Sequence, residues 1–503
     1  MIKKLLKQST GKRLELFRYI MIQNPVSIKE LMDTFQFSRT TIKRMLQEVS
    51  NDLATLQIEG EIVQSAEFSY SFVNKTEEVS GIYHQLILYY CQQSAVFQML
   101  QLNYLENELT VPICCEKMNI SEAYCYKVIN ETNLFLKDFH IKLVTQQKQL
   151  TFKGDEASIR LLGYYLFSHT YLGIQWPFTH ITEQQITQQM TVSYRNFLER
   201  KSFSEKETIY YWHAVNTLRV SQGHMIEELD EESQEILQLL TKDYPIFKPK
   251  QLYIYEIDPA DYQKELYFST FITQIQLSKV AELAPHLKKI GDQIRRLDFK
   301  IIKFFNQMME EYDKYFGFEM SEHEFSLLMY QLVFPYIRDK YVVYGKDKFV
   351  EVIYHYAAVN YDVPKKKIEV TDFLNYFMER KSPEEYKFFL TNNKIFIIGI
   401  LVATSVRLEK KQIKLYIHNS LKGMSGESLI RYRLENMFNP KTVTVVSDIH
   451  EADLIISDAV EEERNPKASI FFLEDLNNQY QWKYLLDTVL GLLEERIDTK
   501  NAN

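Results

Sequence analysis

The chain has 503 residues, enough for three or more domains. Its 14 glycines and 12 prolines fall well below ordinary usage, which disfavours turn-rich β architectures and glycine-lined nucleotide folds, and an apolar share of 46% with 34 Tyr and 32 Phe excludes a disordered or fibrous chain. The net charge of −8 is unevenly spread: residues 1–50 carry ten Lys/Arg against four acids, or +6, leaving −14 for the rest, a distribution that suits a protein meeting a polyanion at one end.

In chain order, apolar residues first recur at helical spacing at Leu14, Phe17 and Met21, then at Ile28, Leu31, Met32 and Phe35. After a break at Gln36 and Phe37 they resume at Ile42, Met45, Leu46, Val49 and Leu53. Ser38 stands where its hydroxyl can cap the helix from Arg39 to Leu53. Three helices with a tight turn before the last make a helix-turn-helix unit. Opposite the apolar stripe lie Thr40, Lys43, Arg44 and Gln47, with Arg39 and Thr41 in the first turn, donors suited to phosphate oxygens and to guanine and adenine edges in the major groove. We therefore read Ser38, Arg39, Thr40, Thr41, Lys43, Arg44 and Gln47 as the DNA-binding residues of this unit. Partial alternation at Ile58, Ile62, Val63, Phe68, Tyr70 and Phe72 predicts a β wing.

A second helix-turn-helix unit follows: a short helix near Ile113 to Met118, a turn at Asn119, a cap at Ser121, and Cys125, Val128, Ile129, Thr132 and Leu136 along one face of the next helix. Its outward face is weaker electrostatically, with Lys127 the cation placed for DNA, so direct contact and a structural role both stay open. Cys91, Cys114, Cys115 and Cys125 fall within 35 residues without a CxxC pair or a nearby histidine at ligand spacing; they read as core residues, with neither a disulfide nor a metal site signalled.

From about Gly154 to Ser405 long amphipathic helices dominate, and their many Glu residues read as solvated helix faces. No GxxxxGK[ST], HExxH, GxSxG or GxGxxG motif is present anywhere, so no enzyme and no cofactor is indicated. The longest apolar run, Ile395 to Val406, is too short to span a bilayer, and the first residues lack an apolar signal core; a soluble, cytoplasmic chain without membrane contact is expected. Short apolar runs at Lys414 to Leu421, Thr442 to Ser447, Ala452 to Asp458 and Ala468 to Leu473 alternate with helices at Glu427 to Phe438 and Tyr480 to Ile497, which predicts a small parallel α/β domain. Its loop LKGMSGES lies where such folds bind anions.

This order of parts resembles the Mga-type virulence regulators and their AtxA-like relatives. SIKELMDTFQFSRTTIKRMLQEVSNDL is similar to the first DNA-binding unit of that family, FKGDEASIRLLGYYLF (Phe152 to Phe167) to its junction with the regulatory domains, and YWHAVNTLRVSQGH (Tyr211 to His224) to the histidine helix of a PTS regulation domain. The resemblance implies a mainly α multidomain protein: winged helix-turn-helix domains over 1–78 and 79–155, all-helical PTS regulation domains over 156–280 and 281–405, and an enzyme IIB-like α/β domain over 411–503. It implies a transcription regulator that binds double-stranded DNA, is controlled by histidine phosphorylation from the phosphocarrier HPr, and forms a homodimer or higher oligomer through the C-terminal domain. His213 is then the leading phosphorylation site and must be reachable from solvent; the alternative, a hydrogen-bonded core histidine beside Trp212, stays open. His224, three turns along the same helix, is the nearest alternative, with His323 and His355 behind it. In the second regulation domain the matching place falls on Gln331 or Leu332, which excludes phosphorylation there. Where active enzyme IIB domains carry a nucleophilic cysteine this chain has His418 or Asn419, so the tail resembles a regulatory relic. A sugar phosphotransferase component and a helical interaction protein without DNA binding are the alternatives.

Overall fold

The computed structural model describes residues 2–498 except 66–68, 75–78, 147, 172, 244, 249–251, 253–255, 277–279, 342–363, 409–412, 419–422, 440–441, 459–465 and 474. The chain is mainly helical, and it divides into two compact units, residues 1–306 with 322–360 and residues 307–321 with 361–503.

The first unit opens with α1 (Ile2–Leu5), α2 (Gln8–Ile22), β1 (Val26–Ser27), α3 (Ile28–Phe35) and α4 (Arg39–Thr55), followed by β2 (Gly60–Gln64) and β3 (Ser69–Asn74). The three strands form an antiparallel sheet in the order β1-β3-β2, with Ile62 opposite Phe72 and Val26 opposite Tyr70. This is the expected wing, held to the helices where Phe72 meets Phe17 edge-on at 5.1 Å. The pattern then repeats as α5 (Val79–Gln92), α6 (Ala95–Leu105), α7 (Val111–Met118), α8 (Glu122–Leu136) and a hairpin of β4 (Lys142–Gln146) and β5 (Gln149–Lys153), in which Leu143 faces Phe152. The helices α9 (Glu156–Tyr171), α10 (Glu183–Gln189), α11 (Val192–Glu199), α12 (Phe203–Ser221), α13 (Glu231–Asp243) and α14 (Pro259–Gln276) come next, then α15 (Val280–Arg295), α16 (Lys300–Phe316) and α17 (Glu322–Tyr341). Helices α15 and α17 cross so closely that a Cβ on Gly291 would lie 1.8 Å from the Ser326 carbonyl oxygen. The division into units falls inside α16, within the span 281–405 expected for one domain.

The second unit contains α18 (Pro364–Arg380), α19 (Glu384–Asn392) and α20 (Lys394–Leu408), packed on the end of α16 around Tyr312, whose hydroxyl donates to the Leu401 carbonyl at 2.7 Å. The apolar run at 395–406 lies in α20, with Ile397, Ile398, Leu401 and Val402 buried. Among the described residues no single helix is long and apolar enough to cross a membrane; the pair α19 and α20 reaches that length and composition only together, bent by 81°. The remainder is a four-stranded parallel sheet in the order β7-β6-β8-β9, made of β6 (Ile413–Ile417), β7 (Val443–Val445), β8 (Leu454–Ser457) and β9 (Ser469–Phe472). Helices α21 (Gly423–Met437) and α22 (Gln479–Asp498) set Ile430, Leu434, Trp482, Leu485 and Val489 against Leu415, Ile456 and Phe471. His418 follows the end of β6, where its backbone N–H donates to Ile456 and its ring lies 3.7 Å from Glu427; Asn419, Leu421 and Lys422 lie outside the described residues, and the rest of LKGMSGES, expected as a loop, is the first turns of α21.

Candidate nucleic-acid interface

Helix α3 ends on Gln36 in the left-handed conformation (φ 54°), which turns the chain so that Ser38 can start α4. The Ser38 hydroxyl accepts from the Thr41 N–H at 3.2 Å and lies 2.9 Å from the Thr41 hydroxyl, so these two residues fix the helix start. Ile42, Met45, Leu46, Val49 and Leu53 are buried, while Arg39, Thr40, Lys43, Arg44 and Gln47 are exposed on the opposite side. Arg44 reaches only to 3.9 Å from Glu48, and that carboxylate is drawn inward by Arg13 at 3.4 Å. The outward face of α4 thus offers three cations and two neutral donors without an acid among them.

Helix α8 repeats the local geometry. Asn119 takes the left-handed turn (φ 52°), Ser121 accepts from the Tyr124 N–H at 3.3 Å, and Cys125, Val128, Ile129, Thr132, Phe135 and Leu136 are buried. Its exposed side differs in chemistry, with Tyr124, Tyr126, Asn130 and Leu134 around Lys127, and Lys127 is shared with Glu131 at 3.9 Å. Sequence spacing found the helix but passed over these exposed aromatics.

The two helix-turn-helix units are tied together inside the first compact unit. Asp52 of α4 accepts from Arg13 at 3.0 Å and from the Tyr90 hydroxyl of α5, and Lys4 pairs with Asp138 just beyond α8 at 2.8 Å. Between them runs a cleft of about 780 Å³ bordered by Lys4, Lys7, Arg13, Tyr124, Glu131 and Leu134.

Behind the second unit, the reading of the body's glutamates as solvated faces is corrected. Arg160 is wholly buried and places all five of its N–H donors: on Glu156 (3.0 Å), Asn216 (2.9 Å), both oxygens of Glu265 (2.6 and 2.9 Å) and the His224 carbonyl (2.8 Å). Arg219 grips the two oxygens of Glu156 at 3.0 and 2.7 Å and holds Gln222, which donates to the Tyr104 and Glu106 carbonyls at the end of α6. Burial acts to raise the Glu156 carboxyl, but the charges of Arg219 and Arg160 outweigh it and hold the group below its ordinary value. Three acids that periodicity assigned to water, Glu156, Glu207 and Glu265, are in fact enclosed. The signal for one of them was the acid-arginine pairing of DEASIR, which places Glu156 and Arg160 one turn apart.

Of the two readings open for His213 the structure matches the core histidine, and His224 departs from its expected helix. His213 is 2% exposed, with its ring edge-on to Phe247 at 4.7 Å and Nε2 3.4 Å from the Thr273 hydroxyl; burial pushes its pKa down to about 3. The required access from solvent is not met, because every residue of α12 from Ile209 to Val220 is buried, the polar ones included. His224 is not on the same helix: α12 stops at Ser221, Gly223 turns the chain at φ 79°, and the His224 N–H caps the Arg219 carbonyl at 3.0 Å. Its ring is half-buried, and burial, with Arg219 and Arg160 nearby, lowers its pKa. His323 is exposed at the start of α17, and His355 lies outside the described residues. Leu332 is buried in α17 beside a half-buried Gln331. Among the described residues no group of three His, Cys, Asp or Glu is arranged to hold a metal ion.

Residues 82–167, which contain α6 to α8 and the β4–β5 hairpin, match the family described as the Mga helix-turn-helix domain, so the chain carries a domain of that family. Over 151 residues the chain is 21% identical to a protein of Streptococcus pneumoniae serotype 4 described as a trans-acting regulator, covering 30% of this chain and 29% of that protein. Over 141 residues it is 24% identical to the capsule synthesis positive regulator AcpA of Bacillus anthracis, covering 27% and 28%. The matches span less than a third of either relative. The family and both relatives carry the names of regulators, not of enzymes.

Proposed function

We propose that the chain is a transcription regulator that binds duplex DNA through α4 and α8 and acts in the cytoplasm. The observation that carries this reading is the face of α4: Arg39, Thr40, Lys43, Arg44 and Gln47 stand in solvent on a helix whose other side is locked into a winged core. The likeness of residues 82–167 to the Mga helix-turn-helix domain supports α8 as a second reader, with Lys127 as its cation. A base contact contributes about 1 to 3 kcal/mol, so in sites selected from genomic fragments the triple variant Arg39→Ala/Lys43→Ala/Arg44→Ala should bind at least tenfold more weakly while keeping its melting temperature. Wild-type affinity in the folded triple variant would overturn the assignment.

The same reading places residues 156–280 and 281–405 as PTS regulation domains phosphorylated by HPr. The exposure of His323 and the half-exposure of His224 favour these over His213 as acceptors, because an imidazole must meet the incoming phosphoryl group. With enzyme I, HPr and labelled phosphoenolpyruvate, the His224→Ala/His323→Ala variant should lose acid-labile label; full labelling of that variant refutes the choice. Residues 411–503 would hold two copies together, so that two half-sites are read at once. Truncation after Lys410 should lower the mass seen by light scattering, and an unchanged oligomer would place the interface elsewhere.

A further inference from the structure

Arg44, Glu48 and Asp52 follow one another at four-residue spacing along α4, so they form a single row that holds one cation against two acids. Glu48 is the acid nearest the outward cations. One of its carboxylate oxygens lies 3.9 Å from Arg44 Nε and the other 3.4 Å from Arg13 Nε, so the arginine of α2 makes the closer pair although Arg44 shares the helix. Arg13 is fixed from several sides. Its Nη1 donates to Asp52 at 3.0 Å, its guanidinium lies 5.3 Å from the centre of the Tyr90 ring, and the Tyr90 hydroxyl donates to the same Asp52 carboxylate oxygen. The Arg13 side chain is 18% exposed, that of Arg44 72%, so the two arginines around Glu48 stand in different surroundings.

We propose that Arg13 is a positioning residue for DNA recognition, which holds Glu48 toward α2 and so keeps Arg44 available for the duplex. The proposal rests on the DNA-reading face assigned to α4 above. With Arg13 in place the four side chains balance, two cations to two acids. Without it the row keeps one cation for two acids, and the attraction between residues four apart draws Arg44 onto Glu48. Glu48 then acts against binding twice: it competes with phosphate for Arg44, and it stands as an uncompensated anion beside the polyanion. Losing one phosphate contact makes the slope of log affinity against log salt shallower by about 0.9, which at about 0.1 M salt corresponds to roughly eightfold in affinity.

The test measures filter binding of the full chain to genomic duplex across a salt series. The starting variant is Arg13→Met/Asp52→Asn, because methionine alone would strand the Asp52 charge, whereas an asparagine carbonyl can still accept from the Tyr90 hydroxyl. A melting curve like that of wild type checks that it folds. It should bind roughly eightfold more weakly at about 0.1 M salt, with a slope shallower by about 0.9. Adding Glu48→Gln should restore both, while Glu48→Gln in the wild-type chain should change affinity less than about twofold, so that the gain is a coupling with Arg13. Arg13→Lys, which keeps the charge, should bind close to wild type. A residue that merely supports the fold, or one that touches DNA itself, would not be rescued through Glu48. An unrescued loss, an equal effect of Glu48→Gln in both backgrounds, or undiminished binding in the starting variant would each overturn the proposal while leaving α4 as the DNA reader. A wild-type chain that binds no duplex would overturn that reading and this proposal with it.

Discussion

Replacing Arg160 with methionine tests how the first unit is held together. The guanidinium is wholly buried, and all five of its donors are used, two of them on Glu265, itself fully buried. Methionine fills a similar volume but removes both guanidinium hydrogen bonds from the Glu265 carboxylate, while the one from the Ile226 N–H at 2.9 Å stays. Breaking a buried pair by removing one partner costs about 3 to 5 kcal/mol, because an uncompensated charge stays inside. Removing an exposed pair such as Arg296 with Asp292, 2.8 Å apart and largely in water, costs about 0 to 1 kcal/mol. Urea unfolding followed by tryptophan emission in a Trp482→Phe background reports on Trp176 and Trp212, both in the first unit. Arg160→Met should lower the midpoint strongly and Arg296→Ala barely. The double variant Arg160→Met/Glu265→Met should recover part of the loss, since replacing both partners with apolar groups removes the stranded charge. A loss below about 1 kcal/mol in Arg160→Met would refute the view that this network ties α9, α12 and α14 together.

Gly291→Ala should sharply destabilise the first unit, because the new Cβ would sit 1.8 Å from the Ser326 carbonyl oxygen and backbone must move; a melting curve by circular dichroism matching wild type would contradict that crossing. Glu207 is raised from 4.5 to about 7 by burial and then by the neighbouring Glu183. Its folded state therefore holds a proton more tightly than the unfolded chain, so its contribution is complete below the unfolded value and is lost as pH rises through about 7. Glu207→Gln should flatten the fall in stability over that window, and an unchanged pH profile would count against the shift.

Much of the fold could be read in the sequence wherever one face is apolar and the other wet. The stripe Ile42, Met45, Leu46 and Val49, the Ser38 and Ser121 caps and the four short strands of the tail are of this kind, and each appears in the structure within a few residues of its expected place. The reading failed where a helix is enclosed on every side. In α12 the residues from Ile209 to Val220 are buried on every side, polar Asn216 and Arg219 among them, so no solvent-exposed face marks out a period and the phosphorylation role of His213 came from a motif alone. The composition of that helix, with Tyr210, Tyr211 and Trp212 beside Val215 and Leu218, was itself the sign of burial. Buried acids were missed for a related reason: a period counts Glu156 and Glu265 as polar and cannot see the arginines that long-range folding brings to them.

The central claim is that this chain grips duplex DNA through cations on α4 and α8, and the salt dependence of binding tests it most directly. Each phosphate neutralised contributes about −0.9 to the slope of log affinity against log salt, so Arg39, Lys43, Arg44 and Lys127 together give a slope of roughly −3 to −4. The full chain measured by filter binding on genomic duplex across a salt series should show at least that slope. The Arg39→Ala/Lys43→Ala/Arg44→Ala variant should show one shallower by about 3. A flat slope, or absence of binding even at low salt, would contradict the account.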